Sequence, residues 1–189
     1  MKLEINHRDE FGGVLNELGL LRQGVEVGVF KGEYAQTILK EWKGERLTGV
    51  DPYQNFLFDE YLDGCNKSNM EWIMKQMLLR LMPFGDRFHL LRQKSANAVA
   101  HFVDGFLDFV YIDGNHSLPH IEHDLRAWWP KVREGGIMGG HDFISRNDIA
   151  LRCEVKPAVE KFSVENNLSL IVTECTSWWV KRPFKHEIV

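Results

Sequence analysis

Gly24-Val-Glu-Val-Gly-Val-Phe-Lys-Gly32, taken together with Asp51, decides the fold of this chain. Val25–Val29 is an apolar strand that runs into a glycine turn. Ala35, Ile38, Leu39 and Trp42 then fall on one helical stripe over 32–42. Leu47–Val50 is a second apolar strand, closed by Asp51-Pro52 because proline cannot continue a central strand. A strand, a glycine turn, a helix and a second strand ending in an acid form the unit from which α/β folds build a nucleoside pocket. The turn admits the ligand and the acid holds the ribose hydroxyls. The turn is not a dinucleotide fingerprint. G-x-G-x-x-G needs its middle glycine so that the backbone can approach a pyrophosphate, and Phe30 occupies that position here. The expected ligand is a nucleoside without a phosphate chain, and a nicotinamide oxidoreductase is disfavoured.

The same alternation continues outward from this unit. A helix is predicted before it, from Arg8 to Arg22, with Phe11, Val14, Leu15, Leu18 and Leu21 on one face and Gly24 as its stop. Past Asp51, the aromatic and methionine-rich segment 53–86 holds Tyr53, Phe56, Phe58 and Tyr61 and a helix near Glu71–Met82. It stands where a short connector would suffice, so a lid over an apolar acceptor or a dimer surface is expected there rather than plain core. Strands follow at Phe88–Arg92, Leu107–Ile112 and Gly135–Gly140, with helices at Ala96–Phe102, after Ser117-Leu-Pro119, and at Val155–Asn166. Leu168–Thr173 and Ser177–Lys181 have no helix between them and should pair as a hairpin. The predicted fold class is therefore α/β: a doubly wound, Rossmann-like, mostly parallel sheet with an antiparallel C-terminal hairpin. The 189 residues suit one domain spanning 1–189.

Composition narrows the function classes. A net charge of −4 gives no general basic field, so nucleic acid is not an expected partner. Cys65, Cys153 and Cys175 are scattered, odd in number and form no C-x-x-C pair. That argues against a disulfide scaffold or structural zinc and for a reducing compartment. Met1–Glu10 carries acids where a signal peptide is apolar, and no apolar run has the length of a membrane span. A cytoplasmic protein without a membrane partner is expected.

Two groups of residues carry candidate chemistry. Glu26 is an acid inside an apolar strand, and a buried lone carboxylate demands a partner or a function. Asp113, His116, His141 and Asp142 gather at two strand ends that neighbour each other in such a sheet. Three readings of them stay open. Asp113, His141 and Asp142 can hold a divalent cation: oxygen ligands suit Mg²⁺, and an added imidazole shifts preference toward Mn²⁺, Fe²⁺ or Zn²⁺. His116 or His141 can instead act as a general base held by Asp113 or Asp142. The plain alternative is that the acids cap helices and the histidines bond loop backbone. His120 and His123 read as a solvated helix face, and Trp128-Trp129 and Trp178-Trp179 as core and sheet-edge packing.

Gly24–Gly32, Gly49-Val-Asp51-Pro-Tyr53, Tyr111-Ile-Asp-Gly-Asn-His116 and Gly135-Gly-Ile-Met-Gly-Gly-His-Asp-Phe143, in this order and spacing, resemble the class I S-adenosylmethionine-dependent methyltransferases. The likeness is to bacterial families with a strand ending in Asp-Gly-x-His and a later Gly-His-Asp. It implies a seven-stranded sheet whose last strand is antiparallel, with S-adenosylmethionine bound over the ends of the early strands. It also implies that Glu26 and Gly28 belong to the first cofactor motif, with Phe30 and Gly32 completing the turn, Asp51 on the ribose, Ser95 near the adenine and Asp113 beside the cofactor. Lys94 departs from the pattern, since many relatives have an acid there. The implied activity is O-methylation of a small-molecule acceptor, with Mg²⁺ or another divalent cation as a candidate aid; whether the chain forms a homodimer stays open. A binding protein that keeps the nucleoside pocket without transferring a methyl group is the rival reading.

Overall fold

Every residue of Leu107–Ile112 is buried, so the strand must be covered on both faces. The computed structural model of the chain, which describes residues 3–54, 69–145 and 153–184, shows what covers it. Seven strands, β1 (Gln23–Val27), β2 (Arg46–Val50), β3 (Phe88–Leu91), β4 (Leu107–Ile112), β5 (Val132–Gly140), β6 (Leu170–Val172) and β7 (Trp178–Lys181), form one sheet in the order β3-β2-β1-β4-β5-β7-β6. β3, β2, β1, β4 and β5 are parallel. β7 runs antiparallel to both of its neighbours, β5 and β6, which is the expected hairpin. Strand order reverses between β1 and β4, where an open α/β sheet leaves a crevice.

Among the described residues, six α-helices cover the two faces. α1 (Phe11–Glu17), α2 (Glu33–Glu41) and α3 (Met70–Leu81) pack with Phe109, Tyr111, Ile137 and Trp179 of the sheet. α4 (Ser95–Ala98), α5 (Leu118–Trp128) and α6 (Val155–Glu165) pack with Val25, Val110, Ile112, Met138 and Trp178. Consecutive β4 residues thus go to opposite layers, and so do Trp178 and Trp179, as a period of two requires. Both tryptophans and Trp128 are fully buried, as core packing predicts. Asp108, the one acid in β4, is also fully buried, and it is answered: its carboxylate accepts from the Arg133 Nε and the Arg22 backbone N–H.

The first helix differs from expectation. Arg8–Glu10 is a 3-10 turn, and α1 ends at Glu17 rather than Arg22. A Schellman-type turn stops it, with Gly19 N–H on the Asn16 carbonyl (3.1 Å) and Leu20 N–H on the Leu15 carbonyl (2.9 Å). Leu20 is thereby turned into the core, and Leu21, expected on the apolar face, is exposed. β5 begins three residues earlier than predicted, at Val132, and β6 is only three residues long. Of segment 53–86, Phe56, Phe58 and Tyr61 lie outside the described residues. In α3, Ile73, Met77 and Leu81 join the core while Trp72, Leu78 and Leu79 are exposed. Among the described residues no helix is long and apolar enough to cross a membrane.

Candidate active site

The glycine turn and the acid after β2 build one cradle. Gly28 has φ +87°, and a Cβ there would stand 2.0 Å from the Asp113 carbonyl oxygen, so only glycine lets β1 and β4 end this close together. Beyond it the chain folds over Asp51. Asp51 Oδ2 accepts from the N–H groups of Val29 (3.1 Å) and Phe30 (3.0 Å), and Oδ1 accepts from that of Tyr53 (2.9 Å). The Tyr53 hydroxyl donates to the Phe30 carbonyl at 2.7 Å. Burial raises the Asp51 pKa, while these backbone donors and Arg92 oppose the rise. Phe30 (φ +48°) and Tyr53 (φ +44°) are both held in the left-handed region, a strain that the surrounding bonds must sustain.

A cleft of about 780 Å³ opens over this cradle, a size suited to a small-molecule ligand. Glu26, Gly28, Phe30, Asp51, Ser95, Asp113 and His116 all line it. Gly32 does not. It opens α2 with φ +72°, and a Cβ there would meet the Met77 side chain at 2.9 Å, so its place is under α3. Glu26 is fully buried and its pKa lies well above the ordinary carboxyl value. Burial is the main cause, the Asp113 charge adds to it, and Arg8 opposes it. Its Oε2 has no hydrogen-bond partner among the described residues.

The second cluster follows from strand register. Ile112 of β4 pairs with Gly140 of β5, so Asp113 and His141 emerge side by side. His141 Nδ1 lies 3.1 Å from Asp142 Oδ1. His116 Nε2 stands 3.5 Å from Asp113 Oδ1 and 3.5 Å from Asp142 Oδ2. The Asp142 pKa is lowered, first by its hydrogen bond with His141, against burial, and further by His116. Burial works against charging His141, but the Asp142 bond and the Asp113 charge outweigh it and the pKa is raised. Asp113, His141 and Asp142 each offer one ligand atom, all within 4.8 Å of one another. Two carboxylates and an imidazole at that spacing fit a divalent cation with open positions for water or substrate.

Arg8 and Asp124 are charged residues of the cleft that the sequence did not mark. Arg8 lines it from the 3-10 turn before α1, and no motif marks it. Asp124 lines it from α5, 5% exposed. The Ser95 hydroxyl donates to Asp124 Oδ1 at 2.5 Å and accepts from the Trp128 Nε1–H at 2.8 Å. Burial raises the Asp124 pKa to about 6, against the Ser95 bond. The signal was an acid beside Leu125 on the stripe of Ile121, Leu125 and Trp128. His120 and His123 are exposed at the rim, as expected of a solvated face, and His120 Nδ1 meets the Ser117 hydroxyl at 2.8 Å.

Comparison with known proteins agrees with this geometry. Residues 25–143 match the family described as a methyltransferase domain. The uncharacterized protein R132 of Acanthamoeba polyphaga mimivirus is 24% identical over 140 residues, 72% of this chain. The match spans 57%, a little over half, of that relative's length. Among solved structures, a Corynebacterium glutamicum protein superposes with a TM-score of 0.65 at 14% identity, covering 97% of this chain and 85% of its own. An O-methyltransferase from Bacillus cereus, solved in complex with S-adenosylhomocysteine, superposes with a TM-score of 0.62 at 12% identity, covering 96% of this chain and 83% of its own. The structural matches share the fold, and the family match covers the cradle, the lining of the cleft apart from Arg8, and both strand ends. The chain belongs to the methyltransferase domain family and has the class I S-adenosylmethionine-dependent methyltransferase fold.

Proposed function

We propose that this chain transfers a methyl group from S-adenosylmethionine to a hydroxyl of a small-molecule acceptor. One observation carries the reading: Asp113 belongs both to the cleft over the Gly28–Asp51 cradle and to the cluster with His116, His141 and Asp142. A nucleoside pocket and a set of acid–base groups meet at a single residue, which a protein that only binds the nucleoside does not need.

S-adenosylmethionine, when bound, supplies a methyl group on a positively charged sulfur, open to in-line attack. The protein must align the acceptor, exclude water and take a proton from a hydroxyl that is a poor nucleophile until ionised. Phe30, with Asp51 holding the turn beneath it, would wall the nucleoside side of the cleft. His116, within reach of Asp113 and Asp142, is positioned to receive the acceptor proton, and the two carboxylates would stabilise the imidazolium that forms. Asp113, His141 and Asp142 would hold a divalent cation, which lowers the pKa of a hydroxyl bound to it. The fold of the S-adenosylhomocysteine-bound O-methyltransferase supports the donor assignment, and the scattered cysteines support a cytoplasmic setting.

Calorimetric titration with S-adenosylhomocysteine, with NADH as control and with and without Mg²⁺, tests the donor. S-adenosylhomocysteine is expected to bind and NADH is not, and the reverse outcome would end the reading. Turnover of a panel of catechols, sugars and polyketide-type hydroxyls to S-adenosylhomocysteine then tests the reaction. Loss of turnover on chelation would assign the cation a part in it.

A further inference from the structure

We propose that Arg8 and Glu26 form a paired site for a zwitterion, and that Arg8 is the residue that holds the α-carboxylate of the cofactor's amino-acid end. The proposal rests on the S-adenosylmethionine reading and adds to it a recognition residue outside the matched segment 25–143.

The Arg8 side chain is built in rather than loose. Its guanidinium carbon lies 4.1 Å from the Tyr34 ring centroid and 5.8 Å from that of Tyr111. The Arg8 carbonyl accepts from the Tyr34 hydroxyl at 3.0 Å. Aromatic stacking holds a guanidinium in place and leaves its in-plane N–H fork for a planar anion. Among the described residues no carboxylate comes within 4.0 Å of that fork. Glu26 faces the same cleft from β1, fully buried, with Oε2 unbonded. The two charges are near enough for each to shift the other's pKa, yet they form no ion pair.

Among the described residues, a buried acid whose Oε2 has no donor and a stacked guanidinium with no carboxylate in reach, in one cleft, match an ammonium and a carboxylate on one carbon. Bidentate capture of the carboxylate by Arg8 is the stronger of the two contacts, because both partners are charged and planar. Glu26 receives the ammonium. A carboxylate on the acceptor would offer Arg8 the same chemistry, so the test must separate the two sources.

Titration of the full chain with S-adenosylhomocysteine and with its decarboxylated counterpart, the 5′-deoxyadenosyl 3-aminopropyl thioether, does so. The wild type should bind the decarboxylated ligand roughly 10- to 100-fold more weakly. Arg8→Gln should lose a similar factor with S-adenosylhomocysteine and little more with the decarboxylated ligand, so the difference between ligands collapses. Arg8→Lys should retain part of it. Equal affinity of the wild type for both ligands, or equal weakening of both by Arg8→Gln, overturns the proposal while leaving the cofactor reading intact. Should Arg8→Gln fail to fold by circular dichroism, the wild-type ligand pair and Arg8→Lys decide alone. A folded wild type that binds neither ligand overturns the cofactor reading, and this proposal with it.

Discussion

Replacing Asp124 by asparagine removes one ionisable group and leaves an oxygen to accept the Ser95 hydroxyl. Burial raises the Asp124 pKa from 3.8 to about 6. Each pH unit between those values is worth about 1.4 kcal/mol, so ionising this carboxyl in the folded protein costs about 3 kcal/mol more than in the unfolded chain. The sign follows from which state holds the proton more tightly. Below pH 3.8 both states are protonated and the stabilisation is fully present. It is lost as pH rises through about 6, where the folded state must ionise as well. About 2 kcal/mol of the loss falls between about pH 4.5 and 7.5. The amide of the Asp124→Asn variant carries no such dependence. Urea denaturation of both proteins across this range should show the variant gaining on the wild type by about 2 kcal/mol as pH rises, whatever the other carboxylates do. A difference between the two that stays flat with pH to within about 0.5 kcal/mol would refute the claim that burial at α5 controls this group.

Other substitutions separate the cradle from the cluster. Asp51→Ala strands three backbone N–H groups, of Val29, Phe30 and Tyr53, and should lower stability by about 1–3 kcal/mol. It should also weaken S-adenosylhomocysteine binding at least about tenfold, read by thermal melt and calorimetry, since on the proposed reading Asp51 is also the acceptor for the ribose hydroxyls. Gly28→Ala puts a methyl group 2.0 Å from the Asp113 carbonyl at a φ that alanine disfavours. Binding should weaken and the melting temperature should fall; an unchanged melt would mean the strand ends are not in contact. Asp142→Asn should keep S-adenosylhomocysteine affinity within about threefold of wild type while turnover falls at least about a hundredfold, because the Asp142 carboxylate meets His116 and His141 rather than the cradle.

The architecture was legible because its signals are local and repeated. Apolar strands broken by glycine or proline, each followed by a helical stripe, imply a parallel sheet whatever the side chains do later, and the missing helix between Leu168 and Lys181 implies the hairpin. Asp51, Asp113, His141 and Asp142 were legible for the same reason, since each lies just past the end of a strand and strand ends are where such sheets carry chemistry. Arg8 and Asp124 were not, because their roles depend on packing between distant segments. Nothing in 3–10 says that this stretch lies against Tyr34 and Tyr111. Asp124 reads as an interruption of an apolar stripe until Ser95 and Trp128 are seen around it. The end of α1 was missed because the leucines continue the helical period past the turn at Gly19, where tertiary contacts of Leu20 prevail over periodicity.

On the proposed reading, binding and chemistry are only partly separate in this site, and the backbone explains why. Asp113 N–H donates to the Val27 carbonyl at 2.7 Å, and the Asp113 carbonyl fills the space that a Cβ on Gly28 would take. His141 N–H donates to the Ile112 carbonyl at 3.2 Å, which fixes the β5 end to the residue before Asp113. The nucleoside turn, the shared acid and the histidine–aspartate pair thus form one continuous run of backbone bonds across β1, β4 and β5. Displacement at Gly28 must move Asp113, and movement of Asp113 alters its distance to both His116 and the Asp142 side. Gly28→Ala is therefore expected to lower turnover by more than its loss of cofactor affinity accounts for, a deficit that saturating S-adenosylmethionine does not restore. Asp51 joins that run only at the turn, through its carboxylate on the Val29 and Phe30 N–H groups, and among the described residues it makes no hydrogen bond to Asp113, so the turnover of Asp51→Ala should recover once the cofactor is saturating. The two variants resemble each other at low cofactor concentration and part at high, and equal recovery of both would show that Gly28 serves the cradle alone.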